Sequence, residues 1–345
     1  MHDAGFVRSA VARLNACMVL ADNHASATRA GQIRAARAVD MVEHVVPARL
    51  VLAEAAITIS SRVALIDRLV VVRFEDAGGA LRTLVWEPRL ADAVAATGFN
   101  GQRSMRSGVT FGPPPAPRQL CTIAGALERC GVQAADIDFV GLGDLRGHDL
   151  RHLAGTVRPL ADEHQPRAPL FESAQILVQA RELAAVRDPH PIDAPWYVAG
   201  SGEDLIEDRV VAVDGDVSLG AGVSLISTPG LTAGHQSLLL NTRGGLWIVS
   251  SNGVASDCWQ PLLSKIPGVR RSADAEQREA IVPAAGAHNA PELYDSLLLE
   301  RSLADASRAD PRWLTILPAG ELASRWRQWP AVPTYSHGGL SLGRF

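Results

Sequence analysis

Residues 227–237 of this chain, Ser-Thr-Pro-Gly-Leu-Thr-Ala-Gly-His-Gln-Ser, are the stretch that decides its fold. An apolar run at residues 238–240 follows directly, and a second apolar segment, Gly245-Leu-Trp-Ile-Val-Ser-Ser-Asn252, comes next. Upstream, residues 210–216 and 223–227 form two further β-branched runs. Short apolar runs bounded by turn residues are typical of buried strands. The stretch therefore predicts closely spaced strands, with His235 at the start of one of them.

Strand and helix patterns alternate through the middle of the chain. Residues 69–74 and 81–86 are apolar runs around the turn Gly78-Gly79, which predicts a hairpin. Strands joined by helices as well as by hairpins favour an α/β (α+β) fold, an αββα sandwich. The other predicted elements are a helix at 119–130, a strand at 137–142, a strand and a helix within 171–187, and an amphipathic helix at 290–304.

The two ends of the chain have a different composition, which divides it into three parts. Residues 1–54 predict an N-terminal helical arm, because apolar residues recur at helical spacing up to Pro47. Residues 326–345 predict an irregular C-terminal tail, either mobile or packed on a neighbouring subunit. The domain between them, residues 55–325, would start with a strand at 56–60 and contain a Gly/Pro-rich loop at 108–117. The residues that indicate the helix in the arm are Ile33, Ala36, Val39, Val42 and Val45.

Composition narrows the class of protein. A chain of 345 residues with 47% hydrophobic and 20% charged residues fits a soluble globular protein. The net charge of -4, without clustered Lys or Arg, argues against a nucleic-acid partner. Residues 11–21 are too short to span a membrane and are interrupted by Arg13 and Asn15, so we expect a cytoplasmic location without membrane attachment. Irregular spacing predicts reduced thiols at Cys17, Cys121, Cys130 and Cys258.

The segments at 227–237 and 245–252 resemble a catalytic core segment of the metallo-β-lactamase superfamily, and the resemblance extends from about residue 137 to residue 322. In that superfamily the first segment usually contains Thr-Pro-Gly-His-Thr-x-Gly-His. Here Leu231 stands at the place of the first histidine. Residues 316–322 stand where many members have Pro-Gly-His-Asp, and they contain no histidine. The resemblance implies the fold of a zinc hydrolase with altered metal-ligand positions.

One branch of the superfamily carries His-x-His-x-x-Asp-Leu-Arg after a strand, where this chain has residues 144–151. Asp144 and Arg146 then take the places of the two histidines. The branch also carries Ser-Glu-Asn-Gly-Val, which corresponds to residues 250–254, so that Ser251 replaces the acidic residue. The former metal-ligand positions implied by the resemblance are Asp144, Arg146, Asp149, Leu231, His235, Ser251 and Asn252.

These substitutions change the chemistry expected at the site. Leucine and arginine offer no lone pair to zinc, and the remaining donors Asp149, His235 and Asn252 form a poor ligand set. We therefore expect no metal or other cofactor in this chain. The guanidinium of Arg146 could replace the missing cation and neutralise Asp144 or Asp149.

Catalytic residues stay open, with His235, Asp149 and Ser251 as weak candidates. These three could form a nucleophilic arrangement if their segments meet at one sheet edge. The structural alternatives are a hydrogen-bonded His235 beside its strand and an Asp149 that caps a helix and pairs with Arg151. A metal cluster of His148, Asp149 and His152 is a further alternative.

The resemblance implies a metal-poor subunit of a hetero-oligomeric hydrolase, with zinc in a paralogous partner subunit of the same fold. An assembly of the dinitroanisole O-demethylase type is one example. Its small-molecule substrate would be an aromatic ether, cleaved to a nitrophenol and methanol. In the alternative hypothesis the chain acts alone, as a ligand-binding pseudoenzyme or as a metal-independent ester or lactone hydrolase.

Overall fold

The structure, a computed structural model, describes residues 10–52, 55–57, 60–98, 115–161, 163–325 and 328–345. The strands predicted at 56–60 and the loop predicted at 108–117 lie partly outside these residues, as does the start of the predicted tail. The described strands are β1 (Ala35–Pro47), β2 (Arg62–Glu75), β3 (Leu81–Trp86), β4 (Arg118–Gln119), β5 (Phe139–Gly141), β6 (Gln175–Gln179), β7 (Val210–Val213), β8 (Val217–Gly220), β9 (Val223–Ser227), β10 (Gln236–Thr242), β11 (Gly245–Ser250), β12 (Ile316–Pro318), β13 (Gly320–Leu322) and β14 (Ser341–Leu342).

Helices flank these strands along the chain and match most of the predicted positions. The described helices are α1 (Ala10–Arg29), α2 (Ala91–Ala95), α3 (Ile123–Cys130), α4 (Leu150–Ala154), α5 (Ala180–Arg187), α6 (Ser256–Trp259), α7 (Val269–Ala275) and α8 (Ala290–Leu303).

The first sheet has the order β14-β1-β2-β3-β5-β6-β7, with β13 beside β2 and β4 beside β1. The predicted hairpin is confirmed, because β2 and β3 pair antiparallel on either side of the glycine turn. From β3 to β7 the pairing is parallel, so these strands end at the same edge of the sheet. The second sheet has the order β12-β11-β10-β9-β8 and is antiparallel apart from the β11–β12 pair.

Three apolar layers hold the two sheets and the helices together. Phe74, Trp86 and Leu238 belong to the layer between the two sheets. A second layer packs the outer face of the first sheet against α3, α4 and α5, and a third packs the second sheet against α1, α6, α7 and α8. Burial of apolar area on both faces of each sheet is the main stabilising force of such an arrangement. The αββα layering predicted from the sequence is therefore confirmed.

The helix predicted from the apolar spacing of residues 33–45 is wrong, because residues 35–47 form β1. The strand carries a β-bulge, since Asp40 pairs with Arg68 while Val42 already pairs with Asp67. Met41 is the extra residue of the bulge. Because of the bulge, the side chains of Met41 and its neighbour Val42 both lie in the same apolar layer. A bulge of this kind interrupts the two-residue alternation of a strand. Because β1 is also buried on both faces, its apolar pattern resembled that of a helix.

Helix α1 and the described part of the C-terminal tail pack on the rest of the chain. Helix α1 packs against α8, although the residues from which the helical arm was predicted form β1. The tail, which was expected to be mobile or packed on a neighbouring subunit, is laid on its own chain: Trp313 stacks on Tyr335, and β14 pairs with β1. The predicted helix α8 is confirmed, yet most of its surface is buried, because it lies between α1 and the second sheet.

The four cysteines are free and buried, as predicted. Within the described residues, no helix is both long enough and apolar enough to cross a membrane.

Candidate functional site

Loops from both sheets meet at one edge of the sandwich, where several strands end. Arg89 follows β3, Asp144 and Arg146 follow β5, Leu231 follows β9, and Ser251 follows β11. The crevice at the carboxyl ends of strands is where α/β folds commonly bind ligands. Asp144, Arg146, Leu231 and Ser251 are positions that the resemblance implied for one site, and all four line the cavity at this edge.

A cavity of about 120 Å³ lies at this edge. An engineered protein cavity of roughly 150 Å³ holds one benzene molecule, so the space fits a molecule of about one ring. Its walls are mainly apolar and include Val46, Leu50, Val51, Leu65, Trp196 and Leu231. Its polar lining comes from His44, Asp67, Arg89, Asp144, Arg146 and Ser251.

Arg89 is the centre of a buried group of charges, here called the Arg89 cluster. Its guanidinium lies 3.0 Å from Glu87 Oε2, 3.7 Å from Asp67 Oδ1 and 3.9 Å from Asp144 Oδ1. His148 Nε2 completes the cluster at 2.9 Å from Glu87 Oε2. Three carboxylates on three different chain segments thus share one permanently charged guanidinium.

The charged groups of the Arg89 cluster shift one another's pKa values toward the ionised forms. Burial would raise the pKa of Asp67, but His44 and Arg89 lower that pKa to about 2. Burial likewise opposes ionisation of Glu87, and His148 and Arg89 bring its pKa down to about 2. The pKa of Arg89 is raised, because Asp67 and Glu87 outweigh the burial that would lower it. Asp67 and Glu87 are therefore ionised at neutral pH although water hardly reaches them.

Glu87 is also held in an uncommon backbone conformation. Its φ is 56°, in the left-handed region that side chains other than glycine rarely adopt. Glu87 Oε1 accepts a hydrogen bond of 2.5 Å from the Gly143 amide, which ties the end of β3 to the loop after β5. Strained residues of this kind cluster at ligand sites, where surrounding contacts impose the conformation.

The sequence led us to expect that the Arg146 side chain neutralises Asp144 or Asp149. In the structure it pairs with neither of them. Its guanidinium donates to the carbonyls of Leu231 and Ala285, lies 3.4 Å from Asp193 Oδ1, and sits over the Trp196 ring at 4.9 Å. Asp144 instead accepts from the Arg146 backbone amide at 2.8 Å. The Arg146 side chain thus joins the loops of Leu231, Ala285 and Asp193 over the cavity.

A second buried group, here called the Glu300 cluster, lies beneath the same loops. Glu300 Oε1 accepts hydrogen bonds from Ser237 and Ser250 at 2.7 Å and from Asn252 at 2.8 Å. Glu300 Oε2 accepts from Trp259 Nε1 at 2.7 Å. Four neutral donors, from β10, β11, the loop after β11 and α6, thus hold one carboxylate of α8.

The three weak catalytic candidates occupy different surroundings. Ser251 lines the cavity, whereas His235 is fully buried and its Nδ1 lies 3.0 Å from Thr228 Oγ1. Asp149 caps α4 by accepting from the Arg151 amide, and it also pairs with the Arg151 side chain at 2.8 Å. No hydrogen bond joins Ser251, His235 and Asp149 in the described part of the chain. The structural alternative for Asp149 is confirmed.

Glu182 links two loops of the site from behind. It accepts hydrogen bonds from the amides of Leu145 and Gly234, at 2.9 and 3.2 Å, and from the Tyr197 hydroxyl at 3.2 Å. Burial raises the pKa of Glu182, and the nearby Asp144 raises it further. The residue therefore positions the loops and lies outside the cavity lining.

The residues at this edge do not fit a zinc site. Two permanent cations, Arg89 and Arg146, lie among the acidic side chains, and Leu231 offers no donor atom. Gly320 has no side chain, and a Cβ there would come within 2.9 Å of Asp67 Oδ1. Within the ranges that the structure describes, no group of three or more His, Cys, Asp or Glu could hold a metal ion. That the chain takes no metal stays a prediction.

Several residues of the site were not found from the sequence. Glu87 and Arg89 directly follow a predicted strand, and charged residues at a strand end were the available signal. His44 was assigned to a helix, so its contact with Asp67 across two paired strands could not be predicted. Glu300 belongs to a helix whose buried polar face has no local signature.

Comparisons with solved structures place this architecture among known folds, while no protein-family profile matches the chain. A probable metal-dependent hydrolase from Staphylococcus aureus aligns with a TM-score of 0.52 and 11% identity, over 77% of this chain and 83% of that chain. A quorum-quenching N-acyl homoserine lactone hydrolase aligns with a TM-score of 0.49 and 14% identity, over 88% and 97% of the two chains. A hydrolase of the β-lactamase superfamily aligns with a TM-score of 0.47 and 14% identity, over 91% and 98%. The alignment with the Staphylococcus aureus structure shows a shared fold, and the two-sheet layering is the αββα sandwich predicted from the sequence.

Proposed function

We propose that this chain is the metal-poor subunit of a hetero-oligomeric hydrolase, whose zinc is bound by a paralogous partner subunit of the same fold. The Arg89 cluster is the observation that carries the proposal. A guanidinium paired with three carboxylates supplies the positive charge that a metal would supply, and it offers no open coordination position. The αββα layers of this chain would then provide a stable fold and the surface that binds the partner subunit.

The proposed substrate of such an assembly is a small aromatic ether, cleaved to a phenol and methanol. Two features of this chain support an aromatic ligand. The cavity has about the volume of one ring, and Trp196 offers an aromatic wall beside it. The ether oxygen could accept a hydrogen bond from Arg89 or Arg146, which both line the cavity.

Native mass spectrometry on the chain, recovered gently from the cells that make it, tests the subunit function. We expect a complex with a second chain of similar mass, in which zinc stays with that second chain on dissociation. A metal-free homo-oligomer, or zinc bound stoichiometrically to this chain, would contradict the proposal.

The second candidate function is that of a solitary protein, either a ligand-binding pseudoenzyme or a metal-independent ester or lactone hydrolase. The cavity supports this candidate, because one chain alone provides both its apolar walls and its polar lining. Incubation of the purified chain with a chelator separates the candidates. Hydrolysis that persists with chelator favours the solitary protein, whereas activity that requires an added zinc-bearing partner favours the subunit.

A further inference from the structure

We propose that His44 and Asp67 form a general-base pair in the cavity, with which this chain hydrolyses a small neutral ester without a metal. The inference rests on the second candidate function and names its base and its substrate class. It uses residues of the first hairpin of the fold, outside all positions implied by the family resemblance.

The two side chains are neighbours because of the strand register. His44 of β1 pairs with Leu65 of β2, and Asp67 lies two residues further along β2. Diagonal residues of adjacent strands share one face of the sheet. His44 Nε2 consequently lies 3.4 Å from Asp67 Oδ2, and both residues line the cavity.

This contact sets which ring nitrogen of His44 can accept a proton. Asp67 is almost fully buried, and its pKa of about 2 keeps it ionised. An ionised carboxylate favours the neutral imidazole tautomer with hydrogen on the nitrogen that faces it. Nε2 then carries the hydrogen, and Nδ1 keeps a lone pair. With 12% of its side chain exposed, His44 can offer that lone pair to a molecule in the cavity.

Besides a general base, ester hydrolysis needs a group that stabilises the developing oxyanion. The guanidinium groups of Arg89 and Arg146 meet this requirement. Both line the same cavity, and their side chains are 13% and 8% exposed. Fixed donors in a site with little water stabilise negative charge that develops on a carbonyl oxygen. The carboxylates of Asp67 and Asp144 reach the cavity less, with 4% and 1% exposure.

The reaction balances without a further reactant. The oxygen of a water molecule adds to the ester carbonyl carbon, and its proton passes to His44 Nδ1. The carbonyl electrons move to oxygen, beside the two guanidinium groups. When they return, the bond to the alcohol oxygen breaks, and that oxygen takes the proton from His44. One acid and one alcohol leave.

Size and charge define the substrate class. A cavity of about 120 Å³ is smaller than the roughly 150 Å³ that holds one benzene molecule, so with its apolar walls it fits the short acyl group of an ester and does not enclose a whole aryl ester. Three buried carboxylates accompany the two guanidinium groups, so the surroundings do not favour an anionic substrate. A neutral aryl ester such as phenyl acetate is a suitable probe.

Phenyl acetate hydrolysis by the full chain in EDTA tests the proposal, with His44→Gln as the variant. His24→Gln is the matched control, because His24 also pairs with an aspartate, Asp216, at 3.2 Å, but neither residue lines the cavity. We expect turnover by the wild-type chain, an unchanged rate for the control, and a loss of about 100-fold or more for His44→Gln, as is typical of a removed general base. No turnover by the wild-type chain, or equal rates for wild type and His44→Gln, would overturn the proposal.

A nitrogen NMR spectrum of the wild-type histidines adds a readout that does not depend on the folding of a variant. In the wild-type chain we expect the Nε2–H tautomer for His44. In Asp67→Asn we expect a smaller population of that tautomer, and a lower kcat at unchanged KM in the esterase assay. An Nδ1–H tautomer in the wild-type chain would overturn the assignment of the base. Native mass spectrometry tests the subunit function independently of this inference. If it finds a zinc-bearing partner, and the chain alone shows no esterase activity in EDTA, this inference is refuted and the subunit function stands.

Discussion

The Arg89 cluster and the Glu300 cluster both bury carboxylates under the same loops, but they compensate them differently. In the Arg89 cluster, three carboxylates share a charged guanidinium next to an open cavity. In the Glu300 cluster, four neutral donors surround one carboxylate that is fully buried. The first arrangement keeps charge available to a ligand, whereas the second only joins strands to a helix. We therefore expect function at the buried charges that a cavity accompanies.

Removal of the central guanidinium should have the largest effect. Arg89→Met leaves Asp67, Glu87 and Asp144 without their cation, and breaking a buried ion pair from one side typically costs about 3–5 kcal/mol of unfolding free energy. Urea unfolding measures this loss. The matched control is Arg82→Met, whose 40% exposed side chain pairs with Asp76 and Asp138; because this ion pair is open to solvent, we expect a much smaller loss there. Similar small losses in both variants would contradict the role given to Arg89.

Acid should weaken the Arg89 cluster next. The pKa values of Asp67 and Glu87 are about 2 in the folded chain, below their ordinary values of 3.8 and 4.5. A lowered folded pKa contributes stability that is complete above the ordinary pKa and is lost as pH falls toward the folded pKa. We expect a loss of about 2–3 kcal/mol for each group between pH 4.5 and about pH 2.

Unfolding free energies measured across this pH window check the expectation. Glu87→Gln is the variant to compare, because an amide cannot titrate and should flatten the pH dependence. A wild-type chain whose stability is constant across the window would refute the ionised state of the cluster.

The Glu300 cluster should respond to loss of charge with a smaller change. Glu300→Gln keeps the shape but turns one acceptor into an NH₂ group that faces donors, which should cost about 2 kcal/mol. Glu292→Gln in the same helix is the control, since Glu292 is exposed, and we expect less than about 0.5 kcal/mol. Esterase activity should survive in any folded Glu300→Gln protein; its selective loss would erase the functional contrast between the clusters.

The smallest effect is expected at Arg146. Arg146→His removes the contact with Trp196 and the hydrogen bonds to the Leu231 and Ala285 carbonyls, for about 1–2 kcal/mol. The variant should bind no stoichiometric zinc, as elemental analysis after dialysis would measure. Zinc binding without loss of stability would show that the charge at this position is not needed.

Local patterns explain how much of the fold could be predicted from the sequence. The hairpin β2–β3 and the strands β5, β7 and β9 follow from short apolar runs and their turns, and α3 from its helical spacing. β1 could not be assigned, because its bulge and its two buried faces removed the alternation that marks a strand.

The candidate site was predicted less completely than the fold. The loops at residues 144–146, 231 and 251 were expected near one another, and they do line one cavity. The Arg89 cluster joins residues that are far apart in the chain, Asp67, Arg89 and Asp144, and only the register of the sheet brings them together. Spacing along the sequence carries no information on such contacts.

The absence of a side chain at Gly320 makes the introduction of a metal ligand at this position a two-step problem. Any substituent there meets Asp67 Oδ1, the acceptor that faces Arg89. Moving Asp67 aside would in turn leave His44 without its partner and Arg89 with one carboxylate fewer. We therefore expect a single substitution to a donor at position 320 to displace Asp67 and to lower stability. Combined changes at positions 67, 89 and 320 are the better starting point for an engineered zinc site in this scaffold.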